Sequence, residues 1–225
     1  MRLLVMGADS LLGSAAVDVF SEDHTVTAAA WHRGRSSGRF AEGITRVEFE
    51  EYVQIAKVGE RIDAIIYLPE CAGPANERPD SEVITQATLA PFRLLRAARD
   101  AGVERIVLAS TLQLFDAYPR EYRIDEQWRP RPQPEAADLA PLLLEQTCRE
   151  FAREGPMTVT ALRFDPAEID NDPNIAISAI EKALSTPKQV PGYRWQVFHI
   201  AVSDRYITRH ARNYLGGSKR EATGE

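Results

Sequence analysis

Cysteine is nearly absent: Cys71 and Cys148 are the only two in 225 residues, and they stand far apart. That spacing excludes a disulfide-stapled scaffold and a cysteine-ligated metal site, and it fits thiols kept reduced, as in the cytoplasm. No metal is expected. Long apolar runs are missing too, since no stretch reaches the ~18 apolar residues a membrane span needs. The opening MRLLVMGAD is apolar only briefly before Gly7 and Asp9, and it reads as a buried strand rather than a secretory leader. A basic surplus is lacking: 27 Lys and Arg face 33 Asp and Glu, for a net charge of -6. Such a balance argues against a nucleic-acid partner, because phosphate backbones want a basic face. The sequence shows no internal repeat, no P-loop and no Ser-His-Asp order.

What is present is alternation. Short apolar runs that read as strands are expected at Arg2 to Met6, Thr25 to Trp31, Ile44 to Phe49, Ala64 to Leu68, Val103 to Ala109, Met157 to Arg163 and Gln196 to Val202. Helical spacing of apolar residues is expected to give helices over Leu11 to Phe20, Ser81 to Ala101, which Gly102 is placed to end, and Leu139 to Arg153. Asp138 is a plausible N-cap for the last of these, and Pro141 then falls in its first turn. The proline-rich RPRPQP stretch before it reads as an extended surface loop. Such alternation predicts an α/β fold, a parallel sheet of about seven strands with helices on both faces. Residues 1–215 are expected to form one domain, with the small and polar 216–225 as a flexible tail.

The first strand runs into a glycine turn and then a helix. Glycines in such a turn let the backbone approach a pyrophosphate, whose charge then sits on the helix N-terminus. The segment LLVMGADSLLGSAA resembles the opening of the extended short-chain dehydrogenases, the NAD-dependent epimerase/dehydratase group, whose motif is Gly-x-x-Gly-x-x-Gly. Gly7 and Gly13 take the outer glycine positions and Ser10 the middle one. The resemblance continues through DAIIYL, LLRAARDAGVERIVLAST, LLLEQTCREFARE and LRFDP, to about residue 165. It implies a Rossmann-type doubly wound sheet with a reduced C-terminal substrate region. It also implies a dinucleotide lined by Gly7, Ser10, Leu11, Leu12, Gly13, Glu48 and Leu68. No acid stands at the end of the second strand; Arg33 and Arg35 stand there instead and suit a 2′-phosphate, so NADP is favoured over NAD.

The same resemblance shows where the chain departs. Hydride transfer in the group uses Ser/Thr, Tyr and Lys, the last two spaced Tyr-x-x-x-Lys, with the lysine lowering the pKa of the tyrosine. Thr111 keeps the Ser/Thr position, but the Tyr position falls on Ala137 and the Lys position on Pro141, neither of which can carry a proton. Glu70 follows the fourth strand, where it would repel a pyrophosphate unless turned outward. An asparagine of the group falls on Ala87, and its Tyr-Gly becomes Phe115-Asp116. Tyr118 is the stand-in candidate for a proton donor, with Tyr122, His199, Asp204 and Arg205 also placed to enter a pocket. Three readings stay open: a binding, regulatory or partner protein without hydride transfer; an oxidoreductase or epimerase with unconventional residues; and a non-redox lyase or isomerase. Retention and loss of dinucleotide binding are both compatible with these residues. A small-molecule ligand is expected, with no nucleic acid and no membrane. A homodimer is expected through helices 81–101 and 139–153, where Leu142 and Leu143 suit either core or interface.

Overall fold

A computed structural model describes residues 1–31, 43–48, 57, 61–69, 78–186 and 194–215. Seven parallel strands form one sheet in the order β3-β2-β1-β4-β5-β6-β7. They are β1 (Arg2–Met6), β2 (Thr25–Trp31), β3 (Thr45–Val47), β4 (Ala64–Tyr67), β5 (Arg105–Thr111), β6 (Thr158–Phe164) and β7 (Trp195–Ile200). The helices among the described residues are α1 (Leu11–Phe20), α2 (Asp80–Asp100), α3 (Ala136–Glu154), α4 (Pro166–Asn171), α5 (Asn174–Ser185) and α6 (Arg209–Leu215), with a 3-10 turn at Leu112–Phe115. This is the Rossmann-type doubly wound sheet the sequence predicts.

Strand alternation explains the two cores. Leu3 and Val5 of β1 enter one core, while Leu4 and Met6 enter the other. Ile66 and Ile65 of β4 divide the same way, as do Val107 and Ile106 of β5. Apolar residues on both faces are what a parallel sheet covered twice requires. Residues of α1, α5 and α6 pack into the first core, and residues of α2 and α3 into the second. Each fully buried Leu, Ile, Val or Phe contributes roughly 1.5–3 kcal/mol by leaving water. Arg2 ties β1 to the start of β4 by its backbone N–H, which donates to Asp63 Oδ2 at 2.7 Å.

The third helix starts earlier than expected. It begins at Ala136, with Glu135 rather than Asp138 at the N-cap, and runs to Glu154. Pro141 therefore lies inside the helix, not in its first turn. Pro91 sits likewise inside α2. A proline there has no N–H for the carbonyl four residues back, so Ala87 and Ala137 each lose a helical partner. Apolar burial outweighs that loss, because both prolines are buried. Strand β5 is shifted two residues toward the C-terminus of the expected run, so Ser110 and Thr111 belong to it. The third strand is only Thr45–Val47, and Phe49 lies outside the described residues, as does the expected tail 216–225. Helices α4, α5 and α6 were not anticipated, although Asp165-Pro166 is a helix-start signal: the Asp165 carboxylate accepts the Ala167 N–H at 3.0 Å.

Candidate functional site

The order of strands reverses between β1 and β4, so the crevice beyond their C-terminal ends is the ligand position of such sheets. Gly7 leaves β1 with φ +99, a left-handed conformation that favours glycine. A Cβ on Gly7 would meet the Leu68 carbonyl oxygen at 1.9 Å, and one on Gly13 would meet the Gly7 carbonyl oxygen at 2.0 Å. Both glycines thus let the turn, α1 and the exit of β4 close on one another. Ser10 is the N-cap of α1: its Oγ accepts the Gly13 N–H at 2.9 Å and donates to the Gly7 carbonyl at 2.9 Å. The serine that replaces a glycine therefore holds one helix-end donor for itself.

Two other donors of that helix end stay open. Among the described residues nothing accepts from the Leu11 or Leu12 backbone N–H, and the first turn of α1 has no acidic residue to compete for them. Leu11 is exposed and Leu12 packs against the core. This turn fits an anion such as a dinucleotide pyrophosphate on backbone donors and the helix dipole. Leu68 is buried at the far wall, and its N–H donates to the Met6 carbonyl at 2.8 Å. Glu48 follows β3 and is half-buried. Arg33, Arg35 and Glu70 lie outside the described residues.

Thr111 ends β5 almost fully buried, and its Oγ1 accepts the Gln113 N–H at 3.1 Å, capping the 3-10 turn. The Tyr118 hydroxyl donates to the Arg129 carbonyl at 2.9 Å, with its ring against Phe115 and Trp128. Tyr122 is exposed and also meets Trp128. Arg205 donates to the carbonyls of Phe115 and Tyr118, each at 3.0 Å. Tyr118, Trp128, Phe115 and Tyr206 form a third, smaller core with Leu112, Leu114 and Ile124. Ala137 is half-buried and Pro141 buried on α3.

A buried polar network went unrecognised as such in the sequence. Arg163 of β6 donates from Nε to Glu145 Oε1 at 2.8 Å and from Nη2 to Oε2 at 2.6 Å, and the Ser110 hydroxyl adds a donor to Oε1 at 2.6 Å. Arg163 Nη1 stands 3.4 Å from His199 Nε2. Burial, and then the Arg163 charge, push the His199 imidazole down to about 3, so the ring is neutral and accepts from the guanidinium. The His199 backbone N–H donates to Glu126 Oε1 at 3.1 Å. The sequence carried a signal for this network: one acid in LLLEQ and one base in ALRF, each inside an apolar run. Among the described residues there is no grouping of His, Cys, Asp and Glu that could hold a metal, and no helix long and apolar enough to cross a membrane.

Residues 3–168 match the model of the NAD dependent epimerase/dehydratase family. GDP-mannose 3,5-epimerase 1 from Oryza sativa subsp. indica is 23% identical over 174 residues, covering 73% of this chain. That stretch is 46% of the relative, so the chain spans less than half the length of the curated relatives it matches. Among solved structures, a mutated uronate dehydrogenase superposes with a TM-score of 0.73 at 22% identity, over 96% of this chain and 80% of its own. Glucuronic acid dehydrogenase from Chromohalobacter salexigens gives 0.74 at 21%, over 96% and 82%. MoeE5 in complex with UDP-glucuronic acid and NAD gives 0.74 at 18%, over 98% and 94%.

Proposed function

The chain belongs to the NAD dependent epimerase/dehydratase family, and we propose that within it this protein binds a dinucleotide or a metabolite without transferring hydride, acting as a regulatory or partner protein. The observation that carries this reading is the pair Ala137 and Pro141 at the positions where the family resemblance puts tyrosine and lysine. Nearby hydroxyls do not replace them freely: Thr111 caps the 3-10 turn and Tyr118 is bound to the Arg129 carbonyl.

Binding rests on the turn. The N–H groups of Leu11 and Leu12, the close packing at Gly7 and Gly13 and the lack of an acid in the first turn of α1 favour a pyrophosphate there. A nicotinamide dinucleotide, when bound, supplies hydride chemistry; the residues here hold and orient it. The neighbour that carries NAD supports the nicotinamide class, and Arg33 and Arg35 support the 2′-phosphate form. The protein is proposed to work in the cytoplasm as a homodimer. Support for the dimer comes from Phe92, exposed on α2 and edge-on to Phe151 of α3 with ring centroids 5.6 Å apart.

The deciding experiment is a thermal-shift titration with NAD, NADH, NADP and NADPH, run beside a hydride-transfer assay on sugar nucleotides and uronic acids. The expected result is stabilisation by a dinucleotide, NADP forms foremost, with no turnover. No shift with any dinucleotide overturns the cofactor part. Turnover that Tyr118→Phe abolishes overturns the non-catalytic part and makes this an oxidoreductase with unconventional residues.

A further inference from the structure

A cleft of about 1140 Å³ lies between α3, β7, α6 and the segment 125–130. It stands at the β7 edge, four strands from β1. At ~4.8 Å per strand that is roughly 19 Å from the dinucleotide turn. We infer that this cleft is a second ligand site, taking a planar aromatic anion, separate from the dinucleotide turn.

Its charges are unequal in their freedom. Both oxygens of Glu145 are engaged by Arg163 and Ser110, Glu126 Oε1 accepts the His199 N–H, and Asp125 Oδ1 accepts the Gln127 N–H. Arg129, Arg149 and Arg209 line the same cleft, are exposed, and among the described residues have no ion pair or side-chain hydrogen bond. In a chain of net charge -6, the cleft's four arginines outnumber its three carboxylates, Asp125, Glu126 and Glu145, and the guanidinium donors outside the Arg163–Glu145 pair stay available to an anion. Backbone donors add to it. His199 turns its N–H to the outer edge of β7, and strand alternation turns those of Val197 and Trp195 the same way. Glu126 takes the first; among the described residues nothing takes the other two.

The walls supply the aromatic half of the recognition. Two of the chain's three tryptophans, Trp128 and Trp195, line the cleft half-buried. Tyr214 and His210 of α6 face each other edge-on at 4.9 Å on its rim. Rings stack on a planar ligand and guanidinium groups pair with a carboxylate or phosphate. The buried Arg163–Glu145 pair forms a fixed floor.

The test uses 1-anilinonaphthalene-8-sulfonate on the full chain, with N-phenyl-1-naphthylamine as its neutral counterpart, read by energy transfer from tryptophan. Saturable binding of the sulfonate is expected, with the neutral dye about tenfold weaker or worse. Arg149→Glu and Arg209→Glu together are expected to weaken the sulfonate about tenfold, while far-UV circular dichroism and the dinucleotide thermal shift stay as in the parent. Displacement by phenyl phosphate assigns the natural anion as a phosphate, and displacement by benzoate as a carboxylate. Equal binding of both dyes, no effect of the arginine changes, or displacement by neither anion overturns the site. A dinucleotide that fails to bind leaves this result standing, since the two sites share no residue.

Discussion

Arg163 grips Glu145 at two points, 2.8 Å and 2.6 Å, with both side chains withdrawn from solvent. Removing one partner strands a buried charge, whereas removing both does not. Arg163→Leu is therefore expected to lower stability by about 3–5 kcal/mol in urea denaturation. The double change Glu145→Leu, Arg163→Leu is expected to recover most of it. A double variant as unstable as the single one would show that Ser110 and His199 need the pair for their own placement.

His199 gives stability a pH dependence. Its folded pKa lies near 3, below the ordinary 6.5, so between those values the unfolded chain binds the extra proton. The contribution is complete above about 6.5 and is lost as pH falls toward 3, with a slope approaching about 1.4 kcal/mol per pH unit. His199→Gln should flatten that part of the curve relative to the parent. Parallel curves for the two proteins between pH 3.5 and 6.5, in about half-unit steps, would contradict it.

The glycine turn separates packing from ligand binding. Gly13→Ala places a methyl 2.0 Å from the Gly7 carbonyl oxygen, and a loss of about 1–3 kcal/mol is expected on thermal or urea unfolding. Ser10→Gly gives up the cap at a cost of only a few tenths of a kcal/mol, about the usual penalty for that exchange. It also frees the Gly13 N–H, so dinucleotide affinity by calorimetry should rise in Ser10→Gly and fall in Gly13→Ala.

If proton handling is what the chain lacks, Ala137→Tyr with Pro141→Lys should raise hydride transfer at least about tenfold over the parent's background. Replacing Pro141 restores an N–H for the carbonyl of residue 137 but puts a lysine where a buried proline packed, so stability is measured beside turnover. A stable double variant without turnover would place the deficit elsewhere, in substrate enclosure.

Phe92 is 44% exposed beside Phe151. Phe92→Glu is expected to shift the mass from dimer to monomer in light scattering at micromolar concentration while leaving the dinucleotide thermal shift in place.

The sheet was legible because twice-covered parallel strands read as short apolar runs, and β1, β4 and β5 supply them as LLVM, AIIY and IVLA, while β6 interleaves Thr160 and Arg163 with its apolar residues. Boundaries were less so. Pro141 argued for a helix starting at Asp138, yet burial holds Pro141 inside a helix from Ala136. Helix α5 was not among the expected elements, although the apolar residues of ISAIEKAL recur at helical spacing. The glycine turn was visible, but the double hydrogen bond of Ser10 was not, since a hydroxyl's choice between helix end and ligand depends on the φ/ψ of its neighbours. Residues at the polar network were legible one by one; that Ser110, Glu145, Arg163 and His199 meet depends on which strands are adjacent.

The third small core joins chain segments made far apart in time. Arg205 holds the Phe115 carbonyl across 90 residues, and Tyr206 reaches Leu112 across 94. On the ribosome, the loop after β5 emerges long before its partners do. Until β7 and the turn after it are synthesised, it has its own apolar residues and Leu142 of α3 to rest on. The order of translation therefore makes this contact late to set, and a nascent chain stalled before Arg205 should present Tyr118 and Trp128 to chaperones and proteases.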